Sequence, residues 1–400
     1  MRGKPTSNHT TIDHALFALI NHQPVPCLRE MLAFPELCPY LEMNGIAGVL
    51  FYHLRKAGLN QLAPTGVYES LLDRFHFQMR RNMACAAAAK IVFQLLQRAA
   101  IPFLVLKGIA LAEHIYPHFA MRTTSDLDIL IHKDDLLRAD IVLTQAGYQV
   151  IDSTPHQALR NPPGYLASLE YHKPGTPFAY VHLHWHLVNT STPATAFINK
   201  IDMERVWEKS VVAKLAATEV RLLCPDHLLI YLCEHALRVG HSFDRLILVC
   251  DIFYTVKTYE ADFDWDRVAT EAKALGLQNF TYLGLKIVRH YGGQVFLSND
   301  IFKKLALPNL SWTERLFLTL QKNHCRLRGT SYLVYIALSA GLINKVRLIL
   351  RTFFPPRLLL IQRRRCKLPE QTNTLYTERI SEIISYLLKS LKLFHRNISS

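Results

Sequence analysis

Residues 103–131 read FLVLKGIALAEHIYPHFAMRTTSDLDILI. Phe103, Leu104, Val105 and Leu106 form a short apolar run that Lys107 and Gly108 end. The spacing predicts a helix over 109–116, closed by Pro117, and then a strand over 126–131. Side chains alternate across a strand, so Asp126 and Asp128 share one face and Leu127 and Ile129 the other. Two carboxylates two residues apart repel each other. They are tolerated when exposed, or when a divalent cation such as Mg²⁺ sits between them beside nucleotide phosphate. Gly108, at the start of a helix, offers free N–H groups and the positive dipole end to an anion. The plain alternative is a strand edge carrying two solvated aspartates. The full order of strand, Lys-Gly turn, helix, Arg122 and Asp-x-Asp is a narrower signal.

That order resembles the nucleotidyltransferase superfamily that includes DNA polymerase beta. More closely it is similar to a bacterial family of uncharacterised nucleotidyltransferases. The residues that carry the likeness are Leu106-Lys107-Gly108, Tyr116-Pro117, Arg122, Asp126-Leu127-Asp128 and Leu183-His184-Trp185. It runs from about residue 30 to 390 and is strongest over 103–190. The resemblance implies that the two aspartates hold metal ions and that the glycine turn faces nucleotide phosphates. There are two departures. Gly108 is followed by Ile109, where the superfamily has Ser or Gly, and the superfamily's third carboxylate falls on His182.

Working outward, a third strand is expected at 148–151, after a helix over 136–145 that Gly147 caps. Residues 152–178 hold five prolines and two glycines and read as loop. From Phe178 to Val188 the pattern alternates. His182, His184 and His186 fall on one face, and Leu183, Trp185 and Leu187 on the other. Three histidines on one face could bind a transition metal. The other reading is that one or two of them face the cleft and His184 is a hydrogen-bonded structural residue.

Before the module, short helical patterns and a long one from Val67 to Ala99 form an N-terminal helical region, 1–100. The module spans 101–200. A helical domain follows over 201–300, where Glu234, His235 and Asp251 lie on apolar-rich helices and are read chiefly as packing residues. A basic helical region occupies 301–400, its tightest cluster being Arg363, Arg364, Arg365 and Lys367. The fold class expected is α+β: a small mixed sheet between N-terminal helices and a larger α-helical C-terminal part.

Over 400 residues the charge is +14, with 50% hydrophobic and 20% charged residues. This composition excludes a disordered chain and favours an anionic partner. The eight cysteines form no Cys-x-x-Cys pair and read as thiols in a reducing cytoplasm. The longest apolar stretch, 332–343, is too short to span a membrane.

The expected activity is metal-dependent transfer of a nucleoside monophosphate from a nucleoside triphosphate, ATP among the candidates, to an acceptor hydroxyl. The resemblance gives the roles. Asp126 and Asp128 hold Mg²⁺ or Mn²⁺, Lys107 and Gly108 face phosphate, and Arg122 and Ser125 bind phosphate or position the loop. His182 replaces the third carboxylate, as a metal ligand or as a general base. The acceptor is left open among protein, sugar, small molecule and RNA end. Two alternatives stand beside this: a degenerate module that binds nucleotide without transfer, and a protein that binds nucleic acid or a membrane surface through its basic C-terminal region.

Overall fold

The computed structural model describes residues 7–151, 159, 167–188, 201–238, 241, 243, 245–293, 297–305, 335–338, 341–355, 376–381, 383–385 and 388. The cluster Arg363, Arg364, Arg365 and Lys367, on which the expected polyanion contact rests, lies outside them, as does much of the loop-rich stretch 152–178. Among the described residues no helix is long and apolar enough to cross a membrane.

The class is α+β, as expected. Helices α1 (Ser7–Ile20), α2 (Leu28–Leu32), α3 (Leu37–Asn44), α4 (Ala47–Lys56) and the long α5 (Thr65–Arg98) precede the sheet. Gly45, with φ of 71°, ends α3 in the left-handed region, and α4 begins anew at Ala47. Strands β1 (Phe103–Val105), β2 (Leu127–Ile131), β3 (Gln149–Val150), β4 (Ser168–His172), β5 (Tyr180–His184), β6 (Val211–Leu215) and β7 (Thr218–Leu222) form one sheet in the order β3-β4-β5-β2-β1-β7-β6. Helix α6 (Ile109–His114) links β1 to β2, α7 (Leu136–Gln145) follows β2, and α8 (Met203–Glu208) precedes β6. The helical part comprises α9 (Pro225–Leu237), α10 (Leu246–Thr258), α11 (Trp265–Ala274), α12 (Gln278–Gly292), α13 (Asn299–Leu305) and α14 (Leu342–Phe353).

The hairpin β6–β7 falls within the stretch 201–300 expected as a helical domain. Its turn is Ala216-Ala217, with φ of 48° and 59°. Such a turn ordinarily announces itself by Gly or Asn, and two alanines conceal it. The hairpin joins the sheet through parallel pairing of β7 with β1, so the sheet draws on residues well past 200.

Each face of the sheet packs on a different core. Phe103, Val105, Ile129, Ile131, Val181, Leu183 and Leu169 meet α5 and α7 on one face. Leu104 and Leu130, on the opposite face, join the larger core built from α1–α4 and α9–α12. This alternation turns Asp128, His182 and His184 toward the helical side. Shifting β2 or β5 by one residue would exchange its core and polar sets, so the packing holds the register.

Candidate functional site

The segment that delivers the aspartates is clamped from two sides. Asn82, buried on α5, donates to the carbonyls of Phe119 and Arg122 at 2.6 and 2.7 Å and accepts from the Thr124 N–H at 3.0 Å. Arg81 donates to the Thr124 carbonyl at 2.9 Å. Arg122 turns inward and grips Asp251 on α10 with two bonds of 2.8 and 2.9 Å. Tyr116 donates to the same carboxylate at 2.7 Å. The Arg122 guanidinium is thus committed to a buried ion pair that anchors the loop, and Asp251 fixes packing as its apolar helix suggests.

Gly108 has φ of 70°, and a Cβ there would lie 3.1 Å from the Asp126 carbonyl oxygen. Both facts require glycine. The Lys-Gly turn therefore sits directly against the start of β2.

Asp128 is the centre of the arrangement and is fully buried. Lys107 Nζ lies 2.5 Å from its Oδ2. His184 Nε2 and His182 Nδ1 lie 3.2 and 3.5 Å from its Oδ1. Asp128 and His182 are directly paired across the parallel strands β2 and β5, and the two imidazole centroids are 4.0 Å apart. One ligand atom from each of Asp128, His182 and His184 falls within 4.8 Å of the others.

Burial opposes ionisation of Asp128, but Lys107 and the bonds from His182 and His184 outweigh it and hold the carboxyl well below its usual range. Burial likewise works against the Lys107 ammonium, and Asp128 and Asp126 together keep it charged. His184 is driven down to about 3, first by burial and then by His182, against the pull of Asp128. Its imidazole is neutral at physiological pH, and its Nδ1 is buried with no hydrogen-bond partner among the described residues.

The other expected site residues are placed as follows. Asp126 is half-buried, accepts from the Ser125 hydroxyl at 2.8 Å and stands outside the Asp128–His182–His184 group. Ser125 is exposed. His186 lies beyond the end of β5, where its Nδ1 accepts from the Val188 N–H at 3.2 Å, so three histidines do not line one face of the strand. Sequence reasoning missed the contribution of α9. Tyr231 lies near enough to Lys107 and Asp128 to be influenced by both, and burial raises its phenol above its usual range. His235, weighed as a packing residue, is held neutral by burial and by Lys107, His241 and Arg238. Apolar helical periodicity concealed both, because it records that a face is buried and not what it is buried against.

Residues 32–293 match the family described as "Uncharacterised nucleotidyltransferase". The chain belongs to this nucleotidyltransferase family. The match takes in the lead-in helices from α3, the whole sheet and the helical part through α12. No curated protein and no solved structure matches the chain. Within this nucleotidyltransferase, one carboxylate oxygen and two imidazole nitrogens make a possible divalent-metal site. The donor set is mixed, one oxygen and two nitrogens, and the His184 imidazole in it is neutral.

Proposed function

We propose that this nucleotidyltransferase moves a nucleoside monophosphate from a nucleoside triphosphate to an acceptor hydroxyl in a divalent-metal-dependent reaction. The observation that carries the reading is the convergence of Asp128, His182 and His184 beside the Lys107–Gly108 turn, in a chain of this family. In the reaction the acceptor oxygen bonds to the α-phosphorus, the bond from that phosphorus to the bridging oxygen breaks, and pyrophosphate leaves. Asp126, Asp128 and His182 would hold the cation, with His184 as a further ligand. Held there, a divalent cation would neutralise phosphate charge and align the attacking oxygen.

The chain's own residues have separable tasks. Lys107 leaves Asp128 for a phosphate oxygen as the nucleotide enters, exchanging one anion for another. The Gly108 turn, lacking a Cβ, admits phosphate close to the backbone. Arg122, tied to Asp251, and Ser125, bonded to Asp126, hold the loop in place. His182, partly open to solvent, is placed to take the acceptor's proton where it is not occupied as a ligand. ATP serves as donor in this reading and the cytoplasm as compartment. The free thiols among the described cysteines agree with a reducing environment.

Incubation of the full chain with each α-labelled nucleoside triphosphate, Mg²⁺ or Mn²⁺ and cell extract should yield a labelled product and free pyrophosphate. Tight nucleotide binding with no pyrophosphate release under any metal would refute transfer. It would favour the second reading, a module that binds nucleotide without chemistry. The contact of Lys107 with the carboxylate that a metal would need, together with His182 at the resemblance's third-carboxylate position, is what keeps that reading in play.

A further inference from the structure

We infer that Glu170 is a metal-binding carboxylate of this site, supplied by β4 to the row that Asp128 and His182 begin. The inference rests on the proposed metal-dependent reading and adds a ligand to it. Strand β4 pairs antiparallel with β5 so that Glu170 lies directly opposite His182, and His182 in turn lies directly opposite Asp128. Residues directly opposite each other in a sheet project their side chains from the same face. Asp128, His182 and Glu170 therefore form one row across three strands, with neighbours about 5 Å apart.

The row cannot easily slip. Leu169 and Tyr171, the neighbours of Glu170, are buried at 1% and 0% exposure in the core on the opposite face. A one-residue shift of β4 would pull both into the cleft and bury the glutamate. The row also runs outward from the core. Asp128 is fully buried, the His182 side chain is 15% exposed, and Glu170 is exposed.

The charge balance gives this carboxylate a task. Lys107 already pairs with Asp128, so of the two aspartates proposed to hold the cation only the half-buried Asp126 brings charge that this ion pair does not offset. Such a group is a weak attractor for a dication carrying a nucleotide. Glu170, one strand spacing beyond His182, adds a further negative charge at the open end. The span from Asp128 to Glu170, about 10 Å between strand positions, leaves Glu170, like Asp126, outside the Asp128–His182–His184 group, so it would serve a second cation on the solvent side of His182. The carboxylate that this sequence lacks at position 182 is thus offered from the neighbouring strand, two residues along β4 from Ser168.

The test is titration of the full-length chain with Mn²⁺ alone, read by the loss of the free-Mn²⁺ electron paramagnetic resonance signal. It compares wild type, Glu170→Gln, Asp128→Asn and Glu219→Gln, the last an exposed carboxylate on β7. Glu170→Gln is expected to weaken Mn²⁺ binding about tenfold or more, with an unchanged unfolding midpoint, and Glu219→Gln to bind as wild type. The double variant Glu170→Gln/His182→Asp should recover affinity, because it moves the carboxylate one strand inward. Wild-type affinity in Glu170→Gln together with loss in Asp128→Asn would overturn the Glu170 assignment and leave the metal reading standing. An equal loss in Glu219→Gln would overturn it as a general charge effect. Wild-type affinity in Asp128→Asn as well would overturn the metal reading, and the Glu170 assignment with it.

Discussion

Two buried carboxylates, Asp251 on α10 and Asp128 on β2, take their cationic partners from the same stretch, 103–131, and are treated differently. Asp251 receives Arg122 through two bonds and Tyr116 through a third. Asp128 receives Lys107 and faces two histidines. The Asp251 clasp is closed: each partner is inside the core, and the guanidinium fork matches the carboxylate geometry. The Asp128 group is open. His182 reaches solvent, and His184 keeps a buried nitrogen without a partner among the described residues. A closed ion pair fixes where a loop runs. An open one retains donor capacity that something else can use. The contrast separates an anchoring carboxylate from one available for chemistry, although both are almost wholly buried.

The largest expected effect breaks the closed side. Asp251→Ala leaves the Arg122 guanidinium buried and unpaired and should cost about 3–5 kcal/mol of stability, measured as a lower denaturant midpoint. Mn²⁺ affinity of the folded protein at low temperature should stay near the wild-type value. If stability is unchanged, the clasp is not what holds the loop.

The closed side can also be loosened without mutation. His53 Nε2 lies 2.7 Å from the Tyr254 hydroxyl, and the Tyr254 ring packs on Tyr116 with centroids 4.7 Å apart. Burial, then Lys56, His22 and Lys257, lower the His53 pKa from 6.5 to about 4. Above pH 6.5 both folded and unfolded forms are neutral, and the stability is fully present. Between 6.5 and 4 the unfolded chain takes up a proton that the folded chain refuses, so stability falls as pH falls. The loss is complete near pH 4 and is on the order of 3 kcal/mol. Carboxylates add their own slope at the acid end. The readout is therefore the difference between wild type and His53→Gln, and parallel stability curves would remove His53 from the account.

On the open side, Asp128→Asn and Asp126→Asn should each reduce divalent-dependent transfer on the order of 100-fold or more, since loss of a ligand exceeds the 10- to 100-fold cost of losing a ligand's outer partner. The two need not be equal. Asp126 stands outside the Asp128–His182–His184 group, so weaker loss in Asp126→Asn would locate the metal on the histidine side. Full activity in both would remove the metal assignment.

The smallest effect is a change of preference. Wild type should work better with Mn²⁺ than with Mg²⁺, because imidazole nitrogen suits the softer ion. His182→Asp should move the ratio of the two activities toward Mg²⁺ by about tenfold. An unchanged metal profile would show that His182 binds no cation and would sharpen the case for a proton-accepting role.

Local periodicity carried much of this molecule. The order of β1, the Lys107–Gly108 turn, α6 and β2 followed from a short apolar run, a glycine and an alternating stretch. The orientation of His182 and His184 away from Leu183 followed from the alternation of β5. These features depend on the backbone within a few residues, where the side-chain period is set by geometry alone. Tertiary structure decided the rest. The commitment of Arg122 to a partner 129 positions away, the register that sets His182 against Asp128 and Glu170 against His182, and the entry of β6–β7 into the sheet all join distant segments. Which distant segments meet depends on how both faces of the sheet fill their cores at once. Pattern within a segment shows which side is apolar, and only the packed chain shows what that side, or the polar one, is brought to face.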